Sequence, residues 1–221
     1  MSFPDKFQLT TITEQNLIQQ NLAQLIYTTG KFENLSTSLT DTICILNNEP
    51  APAATPRDIA TIISLNHAFQ SILAQKLPLI YPDIFVLNQD INNSRPSSGQ
   101  LRTNDVTVAL TNDVWLPPLP DPQRTPRELT NILTGSTTTT EKALNLNLYL
   151  SRWQLFMDGN KRTAIVAANA LMIQAGAGLL AIPENKMHWY RSQLQKYYRS
   201  GRDASLKQWL YDNCVFGIAE N

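Results

Sequence analysis

The run Phe156-Met157-Asp158-Gly159-Asn160-Lys161-Arg162-Thr163 brings a carboxylate and two cations together with turn chemistry. Gly and Asn tolerate positive φ, so Asp158-Gly159-Asn160 reads as a tight turn. Helical periodicity resumes at once in KRTAIVAANALMIQA, so the turn opens onto a helix N-terminus. Unpaired N–H groups and the helix dipole favour an anion there. Lys161 and Arg162 add full charges, and an arginine can grip phosphate oxygens in a fork. Asp158 is a hard oxygen ligand suited to Mg²⁺, which shares its shell with substrate phosphates. These residue types predict a phosphate-binding loop with a bound metal. Composition alone leaves a plain helix–turn–helix connection with two solvated charges equally open.

The elements that must position this loop are mostly helices. Leu17, Ile18, Leu22, Leu25 and Ile26 form one stripe over 13–29, with Gly30 as the stop. A short helix is predicted over 38–47, followed by the linker NEPAPAAT. Thr55-Pro56 is a capped helix start, and the pattern runs to about Gln75. A weaker helix covers 82–91. Val106, Val108 and Leu110 then alternate with Thr107, Ala109 and Thr111, and Asn112-Asp113 breaks the run, which predicts a β-hairpin over 106–115. WLPPLPDP after it cannot be a central strand. Thr125-Pro126 repeats the cap signal, and helices are predicted to Thr134 and over 138–153, 161–175, 184–199 and 203–214. The small apolar residues of 161–175 mark that helix as central and tightly packed.

The chain has 221 residues, a length that suits one domain with a real core. Its 18 basic and 18 acidic residues cancel, which argues against a nucleic-acid binder working through a broad basic field. Cys44 and Cys214 form no CxxC pair, and reduced thiols in a cytoplasm are expected. Only His67 and His188 are present, which removes most zinc chemistry and most Ser-His-Asp schemes. No apolar h-region and no long apolar run is present, so neither a secretory signal nor a membrane span is expected.

Residues 154–165 resemble the signature of Fic/Doc proteins, H-x-F-x-D/E-G-N-G/K-R followed by two residues and often a second Arg. Phe156, Asp158, Gly159, Asn160 and Arg162 match it, and Lys161 with Thr163-Ala164 is similar to the Doc-like GNKRTA form. Gly99-Gln100-Leu101-Arg102, the 106–115 hairpin and Pro117-Pro118 look like the family's target-docking flap. The resemblance implies an all-α Fic fold, a helical bundle with an inserted β-hairpin flap. It implies a single domain over 1–221, with an N-terminal helical segment at 1–50, a core at 55–200 carrying the flap at about 99–118, and a C-terminal helix at 201–221. It further implies ATP or another nucleotide and Mg²⁺ as cofactors, with Asp158 on the metal. Phe156, Gly159, Asn160, Lys161, Arg162 and Tyr190 fall at nucleotide-binding positions. Of Trp189, Tyr190, Tyr197 and Tyr198, one is expected to touch ligand. A protein target would dock on the hairpin by strand addition, and a homodimer is left open. Thr29-Gly30-Lys31-Phe32-Glu33-Asn34 fits the family's inhibitory pattern S/T-x-x-x-E-G/N, in which the Glu pairs with the second Arg of the signature.

Three positions depart from that pattern. Gln154 stands where the catalytic His belongs, among the implied catalytic positions Gln154, Asp158 and Arg162. An amide has no useful pKa, and loss of a general base costs about 10²–10⁴-fold. Ile165 stands where the second Arg belongs, which leaves Glu33 to meet Lys161, Arg162 or no partner. Lys161 replaces a Gly that leaves room for the α-phosphate, and in Doc-like relatives this Lys accompanies phosphotransfer. The sequence therefore points to nucleotide-dependent transfer of AMP or phosphate to protein hydroxyls as the ancestral activity, weakened or lost here. A non-catalytic nucleotide-sensing or protein-interaction module of the same fold is the alternative.

Overall fold

Capping chemistry fixes most of the helix starts. This computed structural model describes residues 2–93, 95–111 and 113–218. Helix α1 spans Thr11–Gly30, and the Thr10 hydroxyl accepts the Thr13 N–H at its start. Helix α2, Leu39–Leu46, and helix α3, Pro56–Ala74, each begin with a reciprocal capping box, Ser38 with Asp41 and Thr55 with Asp58. Helix α4 is Tyr81–Ile91. Strands β1, Val108–Ala109, and β2, Val114–Trp115, pair antiparallel with Val108 opposite Trp115. Helix α5, Arg124–Thr134, starts one residue before Thr125. Its cap is Asp121, whose Oδ1 accepts the Gln123 and Arg124 N–H groups, so the expected Thr125 hydroxyl cap is corrected. Helices α6, Thr139–Trp153, and α7, Asn160–Ala175, flank the loop.

Strand β3, Leu179–Leu180, follows α7 and pairs with β4, Val215–Phe216, after helices α8, Met187–Ser200, and α9, Ala204–Cys214. This second ladder had no counterpart in the sequence reading. Asn169 of α7 completes it: its side chain accepts the Leu180 N–H at 3.0 Å and donates to the Leu180 carbonyl at 2.8 Å.

Helix α7 is the axis of the molecule. Ala164, Val166, Ala167 and Ala170 face a core shared with α1, α3 and α4. Ile165, Ala168 and Met172 face a second core built from α6, α8 and α9. The alanines let neighbouring helices close on both sides, as the small-residue pattern predicted. The all-α bundle with one inserted hairpin is the architecture expected. Asn112 of the hairpin turn lies outside the described residues, and the turn is closed by the Leu110 N–H donating to the Asp113 carbonyl at 2.9 Å. The two cysteines are free thiols, and burial pushes the Cys214 thiol up to about 12. Among the described residues, no helix is long and apolar enough to cross a membrane.

Candidate functional site

The loop between α6 and α7 is held rigid by its own side chains and by α4. Gln154 caps α6 in the left-handed region, with φ of 46°. It is buried, and its Nε2 donates to the Ser151 carbonyl at 2.6 Å. Six residues on, the Asn160 side chain staples the turn. Its Oδ1 accepts the Phe156 N–H at 2.9 Å and its Nδ2 donates to the Phe156 carbonyl at 2.8 Å. Gly159 sits at φ of 76°, and a Cβ there would lie 2.7 Å from Asn92 Nδ2. Only glycine fits both the angle and the approach.

Helix α4 supplies the frame. Asn88 and Asn92, one helical turn apart, donate to the Asp158 carbonyl at 2.9 and 3.2 Å. Asn88 also donates to the Thr163 hydroxyl at 3.1 Å and accepts the Gly99 N–H at 2.9 Å. The Asn92 Oδ1 accepts Arg162 Nη2 at 3.1 Å, and the Ile91 carbonyl accepts Arg162 Nη1 at 3.1 Å. Both asparagines and Arg162 are buried, and these bonds satisfy the two asparagine amides and both Arg162 Nη groups while leaving Arg162 Nε without a hydrogen bond. The first backbone bond of α7 runs from the Thr163 N–H to the Gly159 carbonyl, and no side chain caps Gly159. The N–H groups at 160–162 therefore precede the helical ladder, in the manner of an anion site.

Glu33 reaches the loop from the other end of the chain. A 3₁₀ turn, Lys31–Glu33, extends α1, and Asn34 leaves it in the left-handed region at φ of 56°. Glu33 Oε1 lies 3.0 Å from Arg162 Nε, off the line of a hydrogen bond, and Oε2 lies 3.4 Å from Arg57 Nη2. Among the alternatives left open by the sequence, the partner is Arg162. Ile165, at the second-Arg position, is buried in the α6–α9 core. Phe32 anchors the turn edge-on against the Tyr190 ring at 6.1 Å. Thr29 is buried in the last turn of α1.

A cleft of about 380 Å³ opens over the loop. Glu33 and Asn34 form one wall, Val106–Ala109 a second, and Arg191, Leu194 and Tyr198 of α8 a third, with Gln154, Asp158 and Lys161 below. Burial lowers the Lys161 ammonium pKa; Glu33 opposes the shift and Arg191 adds to it. Arg191 also donates to the Lys31 carbonyl, tying the Glu33 turn to α8. Asp158 Oδ1 accepts the Gly159 N–H at 2.6 Å and lies 3.6 Å from Arg162 Nη2, and Oδ2 lies 3.7 Å from Arg95 Nη1. Asp158, half-exposed beside a helix N-terminus, is the residue that would hold a Mg²⁺ ion, one carboxylate being enough for a metal that keeps the rest of its shell for other oxygens.

Two expected nucleotide contacts are corrected. Tyr190 is fully buried, its hydroxyl near Asn147 and its ring stacked on Trp209 at 6.0 Å, so it packs the α8–α9 core and does not line the cleft. Tyr198, another of the four aromatic candidates, lines it instead. Phe156 is also core, edge-on to Phe85 at 5.4 Å. Asn160 borders the cleft, but its side-chain atoms are spent on the turn. Sequence reasoning missed Asn88, Asn92, Arg57 and Arg191. Asparagines at i and i+4 on the inner face of an amphipathic helix were the one available signal.

Known proteins share this helical fold with a hairpin beside the loop, and part of the chain matches a family model. Residues 78–172 match the Fic/DOC family. No curated protein matches in sequence. Fic-1 from C. elegans has a TM-score of 0.76 and 18% identity, over 93% of this chain and 63% of that one. A Fic domain containing signaling protein from Bacteroides thetaiotaomicron has a TM-score of 0.75 and 18% identity, over 92% and 88%. A Fic family protein from Desulfovibrio desulfuricans has a TM-score of 0.74 and 12% identity, over 91% and 65%. The chain thus spans less than two thirds of the length of the first of these, and at such identities the likeness is one of fold.

Proposed function

We propose that this protein is a Fic-type nucleotide-phosphate binder in which transfer of AMP or phosphate to a protein hydroxyl is weakened or lost. The observation that carries this reading is Gln154. It stands at the base position, buried, with its amide donated to the Ser151 carbonyl. Neither histidine lines the cleft, and His188 is exposed. The carboxylates that do line it, Glu33 and Asp158, lie against arginines. Among the described lining residues no imidazole is present to take a hydroxyl proton.

In this reading the amides at 160–162 and the Lys161 ammonium bind phosphate oxygens. Asp158 would hold Mg²⁺, which when bound neutralises phosphate charge. The β1 edge aligns an extended target segment. Positioning and electrostatics without a base can leave a residual rate. A thermal-shift titration with ATP, ADP and AMP plus Mg²⁺ tests binding, and ATP labelled separately at the α- and γ-phosphates tests transfer. We expect a saturable shift with little label transferred, and a rise of about 10²-fold or more in transfer for Gln154→His. No shift with any nucleotide would overturn the binding claim, and an inert Gln154→His that still binds would move the defect to Lys161 or Ile165.

A second reading, a sensor with no transfer role, is favoured by the Glu33–Arg162 contact. A phosphate would compete with Glu33 for Arg162, so binding would be read out in the Glu33 turn. Binding by both wild type and Gln154→His without transfer in either would support it.

A further inference from the structure

Glu33 and Asp158 line the cleft on one side and a second, smaller cavity of about 270 Å³ on the other. Its remaining walls are the second turn of α3, the end of α4 with Asn93 and Arg95 after it, and Arg162 of α7. The volume lies just below the ~300 Å³ at which sites for whole small molecules begin. It suits an ion or the end of a longer ligand.

Three guanidiniums line this space from three parts of the chain, Arg57, Arg95 and Arg162. Two carboxylates face them, Glu33 and Asp158, so the lining carries a net positive charge. The pairing is also loose. Arg162 Nη2 lies 3.6 Å from Asp158 Oδ1, and Arg95 Nη1 lies 3.7 Å from Asp158 Oδ2. Arg162 Nε is 3.0 Å from Glu33 Oε1 and still makes no hydrogen bond. Of these ion pairs only Arg57 Nη2 to Glu33 Oε2 is also a hydrogen bond, and at 3.4 Å it is a long one. Charge-assisted bonds of this type normally close to about 2.7–2.9 Å. Arg57 and Arg95 therefore keep most of their N–H donors for another acceptor. Their side chains are 74% and 68% exposed, so a solute reaches both. Neither belongs to the 154–165 loop.

We propose that this cavity is an oxyanion site for a phosphate dianion, gripped by Arg57 and Arg95 in front and favoured by the charge of Arg162 behind. A tetrahedral dianion presents oxygens in several directions and can meet two guanidinium forks at once, whereas the Glu33 carboxylate meets neither fork squarely. The phosphate arrives as a free ion or as the far end of a polyphosphate seated in the cleft, because the two cavities share Glu33 and Asp158. The second source rests on the nucleotide reading and the first does not. In both, the dianion competes with Glu33 for Arg57.

The test is isothermal titration of the whole chain with inorganic phosphate and with pyrophosphate, in a chloride background that screens loose charge pairing. Saturable binding is expected. Arg57→Gln and Arg95→Gln, both on exposed side chains, should each weaken it about tenfold. Glu33→Gln should tighten it, because the competing carboxylate is gone. Arg127→Gln, an exposed arginine of α5 that does not line the cavity, should change nothing. Titrating AMP and ATP into the same variants separates the sources. Weaker ATP binding with AMP unchanged assigns the site to the end of a polyphosphate. Weaker phosphate binding with ATP unchanged assigns it to the free ion. No saturable binding of phosphate or pyrophosphate, with no arginine-dependent loss for ATP, overturns the proposal, and so does an equal loss in Arg127→Gln. Phosphate binding in a protein that takes no nucleotide would sink the nucleotide reading and leave this site standing.

Discussion

Glu33 joins arginines from two distant parts of the chain, Arg57 on α3 and Arg162 on α7. Arg162 is buried, so its charge is tolerated only because carbonyl, amide and carboxylate oxygens surround it. Glu14 is the opposite case, a buried acid whose carboxyl oxygens have no hydrogen-bond partner among the described residues. Burial raises its pKa from 4.5 to about 7. The folded protein therefore holds this proton where the unfolded chain has lost it. Stability from this group is full below about pH 4.5, falls as pH rises towards 7, and stays low above. The span from 4.5 to about 7 corresponds to roughly 3 kcal/mol. Urea unfolding at pH 4.5 and pH 8 should show wild type losing on the order of 3 kcal/mol relative to Glu14→Gln between the two. A parallel response in both proteins would mean that Glu14 is ionised or solvated throughout. At this scale the sequence was legible where a residue type has one use, as with Gly159 in its turn at positive φ. It was illegible where burial decides, because Tyr190 and Tyr198 differ only in which face of α8 they occupy.

Among the elements, α4 contributes most that a sequence pattern hides. Its inner face carries Asn88 and Asn92 in place of hydrocarbon, and each bonds both the loop and its own surroundings. Asn92→Ala would leave Arg162 Nη2 without its amide partner and remove one donor from the Asp158 carbonyl. We expect a loss of about 2–3 kcal/mol, seen as a lower urea midpoint. The thermal shift with Mg²⁺ and nucleotide should shrink as well, since a misplaced Arg162 no longer frames the loop. A purely structural Asn92 would lower the midpoint and leave the nucleotide-induced shift unchanged. The helices themselves were readable because caps such as Thr55-Pro56-Arg57-Asp58 are local chemistry. Strands β3 and β4 were not readable, since two-residue strands have no alternation and their pairing joins residues far apart in sequence.

Across the whole molecule, the two cores meet along α6 and α7, the pair of helices that flanks the 154–160 loop. That a central helix rich in alanine would organise the fold was visible in 161–175. Arg102 fell in the stretch whose resemblance marked the flap, but that it would tie the flap to the loop was not visible, because that bonding joins residues far apart in sequence. Arg102 is buried and donates to the carbonyls of Gln154 at 2.7 Å, Asn104 at 3.0 Å, Pro117 at 2.9 Å and Pro118 at 2.6 Å. Its own N–H donates to the Leu155 carbonyl at 2.9 Å. Arg102→Met should loosen both regions at once. Hydrogen exchange would then accelerate at 102–118 and at 154–156 together, and acceleration at only one of them would refute the linkage.

Mechanically, that guanidinium is a rivet through three plates: the two roots of the hairpin and the residue at the head of the loop. A segment pulling on the β1 edge loads the roots, and the rivet delivers the load to the Gln154 carbonyl. The flap would therefore act as a lever, and its fulcrum is the very backbone that sets the geometry of the loop.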